Sequence, residues 1–129
     1  GDASFIGAFQ CGRDGSGEKM AHQKPAAVSA SEMLCVACVA ARFYRAEGYA
    51  EIKRLYVGKR WRGAGLAKRL MARIEAEIAE QGIQRIRLEM GIHQPEADEL
   101  YRSLGYREIP PFGEYLPDPL SQFLEKALL

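Results

Sequence analysis

The rhythm of hydrophobic and polar positions changes repeatedly along this chain, and each change marks an element. Residues 34–44, LCVACVAARFY, are apolar apart from Arg42 and end in aromatics, which predicts a strand. RAEG at 45–48 predicts a hairpin turn, and YAEIKRLYV at 49–57 a second strand running back. Regular alternation in that strand sends Ile52, Arg54 and Tyr56 to one face and Glu51, Lys53, Leu55 and Val57 to the other. In residues 65–82, GLAKRLMARIEAEIAEQG, the period lengthens. Leu66, Leu70, Met71, Ile74 and Ile78 fall on one stripe at helical spacing, with Gly82 where a C-terminal cap belongs. IQRIRLEM then alternates again through Ile86, Leu88 and Met90, predicting a third strand.

QPEADELYRSLG carries the signals of a second helix: Pro95 at its first position, acids in its first turn and Gly105 as its stop. Ala97, Leu100 or Tyr101, and Leu104 would form its buried stripe. YREI reads as a short strand, PPFGEYLPDP as a Pro-rich loop and LSQFLEKALL as a closing strand. Before Leu34 the text is less structured. SFIGAFQ suits a short strand, CGRDGSGEK a turn or mobile loop, and AHQKPAAVSASE no definite element. The order β-β-α-β-α-β-β predicts an α/β or α+β sheet protein with mixed strand directions.

Length and charge then narrow the class. At 129 residues the chain reads as one domain, an atypical segment 1–34 followed by a core at 35–129. With 47% hydrophobic and 27% charged residues it has the composition of a soluble globular protein. No apolar stretch approaches the ~20 residues that cross a bilayer, and the first residues lack a secretory pattern. A net charge of +1 gives no global pull toward nucleic acid or membrane. Locally the charge is one-sided: from Lys53 to Arg73 every charged residue is basic.

The three cysteines, Cys11, Cys35 and Cys38, make a poor disulfide framework and favour a cytoplasmic chain. Cys35 and Cys38 form a C-x-x-C within a predicted strand. Residues three apart in a strand point to opposite faces, so the two thiols would not converge on a metal and read as inert core residues.

The basic stretch brackets the glycines of RWRGAG at 60–65. A magnesium-nucleotide loop needs Gly-Lys-Ser/Thr, but Leu66 and Ala67 follow Gly65. A dinucleotide loop has the right order of elements, and Glu89 lies about where a ribose-binding acid would. Lys68, however, occupies its third glycine position, and the preceding strand alternates where a central parallel strand is continuously apolar. A third reading is a pyrophosphate cradle. Main-chain N–H groups of residues 62–67 would stand at the positive end of the following helix, with Arg60, Arg62 and Lys68 adding full charges. A solvated basic turn is its plain alternative.

R-x-x-G-x-G after EIKRLYV, then a helix, a strand and A-x-x-L-Y-x-x-x-G-Y, resembles the GNAT superfamily of N-acetyltransferases from about Cys38 onward. The resemblance implies a mixed, mostly antiparallel twisted sheet flanked by helices, with a central parallel strand pair that splays apart. It implies acetyl-CoA as cofactor and direct acetyl transfer to a primary amine, the acceptor being a small molecule. Leu55 N–H would bond the thioester carbonyl and stabilise its oxyanion, and Tyr56 and Val57 would pair with the pantetheine arm. Arg60, Arg62, Gly63, Ala64, Gly65, Leu66, Ala67 and Lys68 would surround the pyrophosphate, and Gln94 stands where many relatives carry an Asn that holds the coenzyme arm.

Tyr101 matches the tyrosine that protonates the leaving thiolate, and Glu51 is the candidate general base. Glu89 would line the acceptor side and is a second candidate base, and Phe112, Tyr115 and Asp118 would help select the acceptor. His93 would be a solvated loop residue. Segment 1–34 replaces a strand and two helices that relatives use to build the acceptor wall. A non-catalytic acyl-CoA-binding module is therefore the alternative, and a homodimer would cover exposed sheet edges.

Overall fold

The computed structural model describes residues 8–11, 18–21, 37–58 and 65–128. Among them are strands β1 (Ala8–Cys11), β2 (Glu18–Ala21), β3 (Ala37–Tyr44), β4 (Tyr49–Val57), β5 (Arg85–Gly91), β6 (Arg107–Ile109) and β7 (Ser121–Ala127). The helices are α1 (Leu66–Glu80) and α2 (Pro95–Ser103). β1 and β2 form a separate antiparallel hairpin, and the other strands form one sheet in the order β3-β4-β5-β7-β6. Only β4 and β5 run parallel, so the sheet is mixed and mostly antiparallel, as expected. Residues 12–17 of the expected N-terminal loop lie outside the described residues, while Glu18 and Lys19 begin β2.

The β3–β4 hairpin is closed by a 3-10 turn at Arg45–Glu47 and by Gly48. Gly48 has φ +79 and donates its N–H to the carbonyls of Tyr44 (3.0 Å) and Arg45 (3.2 Å), a backbone shape that favours glycine. Tyr44 therefore faces Tyr49, and Arg42 faces Glu51. Farther along, Ala41 pairs with Ile52 but Ala40 with Arg54, which leaves Lys53 as the extra residue of a β-bulge.

The bulge corrects the expected alternation. Ala50 and Ile52 are core residues, and beyond the bulge Leu55 and Val57 pack on that same core. Glu51 belongs to the opposite face with Tyr49, and Tyr56 is exposed. One inserted residue shifts the period-2 pattern by one, so residues on either side of Lys53 no longer share a parity.

The predicted stripe of α1, Leu66, Leu70, Met71, Ile74 and Ile78, is buried in full. On α2 the choice between Leu100 and Tyr101 resolves to Tyr101 as the buried residue, with Ala97 and Leu104 half-buried beside it. Both helices pack on the sheet face that carries Ala50, Ile52, Ile86 and Leu88. The Pro-rich loop covers the other face, where Phe112 joins Tyr49 and Phe123.

The parallel ladder runs from Tyr49↔Arg85 to Ile52↔Leu88 and stops, although β4 continues to Val57 and β5 to Gly91. β5 stays paired with β7 to Gly91↔Ser121, and β4 stays paired with β3 to its end. Each strand follows its outer partner, and the bulge at Lys53 bends β4 where the ladder ends. The central pair is therefore splayed.

Among the described residues no helix is long and apolar enough to cross a membrane, and no cluster of His, Cys, Asp and Glu suits a metal ion. The main chain of Cys38 pairs opposite Tyr56, whereas Cys35 lies outside the described residues.

Candidate active site at the strand splay

Among the described residues one concavity lies at the splay on the helix side and another beside the parallel ladder on the opposite sheet face. On the helix side a cavity of about 350 Å³ is bounded by Leu55, Tyr56 and Val57 of β4. The start of α1 (Gly65 to Lys68) and Glu96, Ala97 and Leu100 of α2 complete it. Seven residues predicted to hold a coenzyme thus converge: Leu55, Tyr56, Val57, Gly65, Leu66, Ala67 and Lys68. Arg60, Arg62, Gly63 and Ala64 lie outside the described residues.

Gly65 is the N-cap of α1 at φ +78, with open space where a Cβ would project. Glycine is needed there for its backbone angle and not for room. No side chain hydrogen-bonds this helix start, and its first turn holds no acid, whereas the first turn of α2 contains Glu96 and Asp98. The positive end of α1 is left for a negative ligand group, and Lys68 adds a full charge beside it. The apolar wall of Leu55, Ala97 and Leu100 suits a thin pantetheine-like chain. These residues fit an acyl-CoA.

Tyr101, expected at the coenzyme, follows the lining residues Ala97 and Leu100 on α2 but does not itself line the cavity. It is buried, meets Tyr106 edge-on at 5.6 Å between ring centroids, and its hydroxyl bonds to no described residue. Burial pushes its hydroxyl up to about 12. Gln94 does not join the cavity lining. It is exposed at the N-cap of α2, with Nε2 lying over Gly91.

On the opposite face a concavity of about 600 Å³ is lined by Arg42, Tyr44 and Glu47, by Tyr49, Glu51 and Lys53 of β4, and by Phe112 to Tyr115 of the Pro-rich loop. Glu51 is its floor, 2% exposed and the sole buried charged residue among the described ones. The Tyr115 hydroxyl donates to Glu51 Oε2 at 2.5 Å. Lys53 Nζ donates to the same oxygen at 3.4 Å and to the Tyr115 hydroxyl at 3.1 Å. Burial raises the Tyr115 pKa, and the bond to Glu51 raises it further against the opposing pull of Lys53. Burial would lower the Lys53 pKa, but the Tyr115 bond and the Glu51 charge outweigh it and hold the ammonium above its usual value.

Glu51, Phe112 and Tyr115 are thus brought together as the sequence suggested, while Glu89 lines neither concavity. Its Oε2 accepts a bond from Ser121 Oγ at 2.7 Å, tying β5 to β7. Asp118 is likewise occupied within its own turn, accepting from the Leu120 N–H at 2.8 Å. His93 is exposed and outside both concavities.

Sequence reasoning missed Arg42, Tyr44, Tyr49 and Lys53. Arg42 was recoverable, because counting back from the RAEG turn places it opposite Glu51. Lys53 was not, since nothing in YAEIKRLYV announces the bulge that it forms.

The sheet order, the splayed parallel pair and the glycine-led helix define an acyl-CoA-binding acyltransferase fold. The chain belongs to the acetyltransferase (GNAT) family, whose model it matches over residues 20–106. The chain is 42% identical over 93 residues to an IAA acetyltransferase of Azospirillum brasilense, an overlap of 72% of this chain and 61% of that one. An uncharacterised N-acetyltransferase of Bacillus subtilis is 34% identical over 83 residues, or 62% of this chain and 54% of the relative.

Among solved structures, a Klebsiella pneumoniae protein described as an acyl-CoA N-acyltransferase superposes with TM-score 0.71 at 41% identity, over 74% of this chain and 65% of that one. An N-acetyltransferase of Thermoplasma acidophilum, solved with coenzyme A, shares the fold at TM-score 0.63 and 18% identity, over 77% and 57% of the two chains. This chain spans less than two thirds of the length of each of these proteins.

Proposed function

We propose that this chain transfers acetyl from acetyl-CoA to the primary amine of a small molecule, by direct attack in a ternary complex. The observation that carries the reading is the end of the parallel ladder at Ile52↔Leu88. On β4 the residues beyond the bulge, Leu55, Tyr56 and Val57, line the helix-side cavity, and Tyr49, Glu51 and Lys53 line the concavity on the other face. The splay is the natural passage between a coenzyme on one side and an amine on the other. The larger concavity, about 600 Å³, is of the size that takes small ligands.

Bound acetyl-CoA supplies an activated acyl group, whose carbonyl carbon bonds the amine nitrogen as the C–S bond breaks and its electron pair leaves on sulfur. Leu55, Tyr56 and Val57 hold the arm, and Gly65 to Lys68 hold the phosphates. A primary ammonium has a pKa near 10, so it must lose a proton before it can attack. Glu51 accepts that proton, directly or through water, with Tyr115 and Lys53 keeping its carboxylate in place. Tyr101, whose hydroxyl burial pushes up to about 12, is the group assigned to protonate the departing sulfur, on the motif it shares with the family.

A thermal-shift titration tests the binding half. Acetyl-CoA at about one hundred times its Kd should stabilise the fold by about 2.7 kcal/mol while NAD leaves it unmoved. No response to acetyl-CoA, or an equal response to NAD, would sink the reading.

A further inference from the structure

The lining of the larger concavity also specifies the acceptor's charge and shape. Resting on the acetyl-transfer reading above, we propose that the acceptor amine carries its own carboxylate on a flat apolar or aromatic body. It would be an amino-acid-like zwitterion and not a polyamine.

The first ground is the placing of the cations. The hairpin register sets Arg42 directly across from Glu51, and the bulge puts Lys53 beside it. The buried carboxylate needs one counter-charge, and Lys53 provides it at 3.4 Å. Arg42 is then surplus: no described carboxylate lies within ion-pair distance of it, and its guanidinium lines the concavity in exposed position. Tyr44 and the charge of Glu51 both push its pKa above the usual arginine value. An exposed arginine fork that feels the charge of Glu51 but has no described carboxylate within ion-pair distance is a docking group for a carboxylate.

The second ground is the balance of signs. Arg42 and Lys53 share the concavity with Glu51 and with Glu47 and Glu114, both exposed. A polycation entering there meets two cations beside the floor carboxylate, and a simple anion meets three acids. A ligand carrying both signs can meet each with its opposite.

The third ground is the wall. Tyr44 stacks on Tyr49 at 4.9 Å between centroids, Phe112 meets Tyr49 edge-on at 5.6 Å, and Tyr115 meets Phe112 at 5.2 Å. Tyr49 and Phe112 are buried behind this chain of rings, and the half-buried Tyr44 and Tyr115 give the concavity two aromatic edges against which a flat body can pack.

The test uses the full chain with saturating acetyl-CoA and compares kcat/KM for phenylalanine, phenethylamine and spermidine. Phenethylamine is the same body without the carboxylate. Phenylalanine should exceed it by about tenfold, the value of one charge-assisted contact, and spermidine should be the poorest. In Arg42→Gln the ratio of phenylalanine to phenethylamine should fall toward one, mainly through the KM of phenylalanine. A general loss of activity would lower both rates and leave the ratio in place. Preference for either amine without a carboxylate, or a ratio that Arg42→Gln does not move, overturns the proposal.

A second arm is independent of turnover. In the presence of coenzyme A, N-acetylphenylalanine should bind about tenfold more tightly than N-acetylphenethylamine in calorimetry. Equal or absent binding overturns the zwitterion site. Selective binding without any thiol release would instead sink the transfer reading and leave the carboxylate site standing.

Discussion

Burial acts differently on Glu51 and Tyr101, the two groups assigned to proton transfer. Glu51 is covered yet keeps two donors, Tyr115 and Lys53, on one oxygen. Tyr101 is covered and its hydroxyl bonds to no described residue, so burial alone raises its pKa. Replacing Tyr101 with Phe should lower turnover by about a hundredfold while leaving acetyl-CoA affinity within about twofold. Unchanged turnover would remove Tyr101 as the acid.

The same raised pKa has a consequence for stability. A buried tyrosine whose folded pKa exceeds its unfolded value near 10 adds stability that is fully present below pH 10. That stability is lost as pH rises through about 12. The loss should amount to about 2–3 kcal/mol for Tyr101. Tyr106 shifts in the same direction through burial and the neighbouring Glu75. Denaturant midpoints between pH 9 and 12 should therefore fall, less steeply in Tyr101→Phe, and a flat profile would contradict the assignment. Glu51→Gln keeps the shape but not the base. It should cut turnover by about a hundredfold, and activity should recover partly as alkaline pH deprotonates the amine itself.

At the scale of elements, the sequence was legible wherever a regular period ran unbroken. The α1 stripe and the alternation of β5 were correct residue for residue, because burial against a sheet imposes the same period on chain and sequence. β4 was legible in extent but not in facing, since Lys53 interrupts the period and polar residues occur on both sides of it. That single irregularity moved Leu55 and Val57 onto the coenzyme side and put Lys53 beside Glu51.

Gly65 belongs to this scale too, for its left-handed backbone lets α1 begin where it does. Gly65→Ala should cost about 1–2 kcal/mol by denaturant unfolding, from strain alone because the space is open. It should also weaken acetyl-CoA binding, and wild-type stability and binding in this variant would count against the helix-start cradle. Ile74→Ala, in the middle of the α1 stripe and fully buried, should cost about 2–5 kcal/mol by the same measurement.

At the scale of the whole molecule, the mixed sheet with its one parallel pair matched what the family resemblance implied, while the strand order and the lining of the larger concavity were not read from the sequence. Glu51, Phe112 and Tyr115, singled out because acids and aromatics stand out in a strand and a Pro-rich loop, line one concavity. Arg42 and the stacked tyrosines needed the hairpin register, a relation across the sheet that no local pattern contains. Glu89 was misplaced on the acceptor side because a carboxylate near a strand end reads alike whether it faces a ligand or, as here, a neighbouring strand.

β4 contributes to both concavities, with Tyr49, Glu51 and Lys53 to one and Leu55, Tyr56 and Val57 to the other. The most direct test of that arrangement is thiol release from acetyl-CoA by the intact chain, measured with and without a panel of primary amines. The structure predicts release that requires both the chain and an amine and that falls about a hundredfold in Glu51→Gln. Stabilisation by acetyl-CoA with no amine-dependent release would make the chain a coenzyme-binding module and contradict the account.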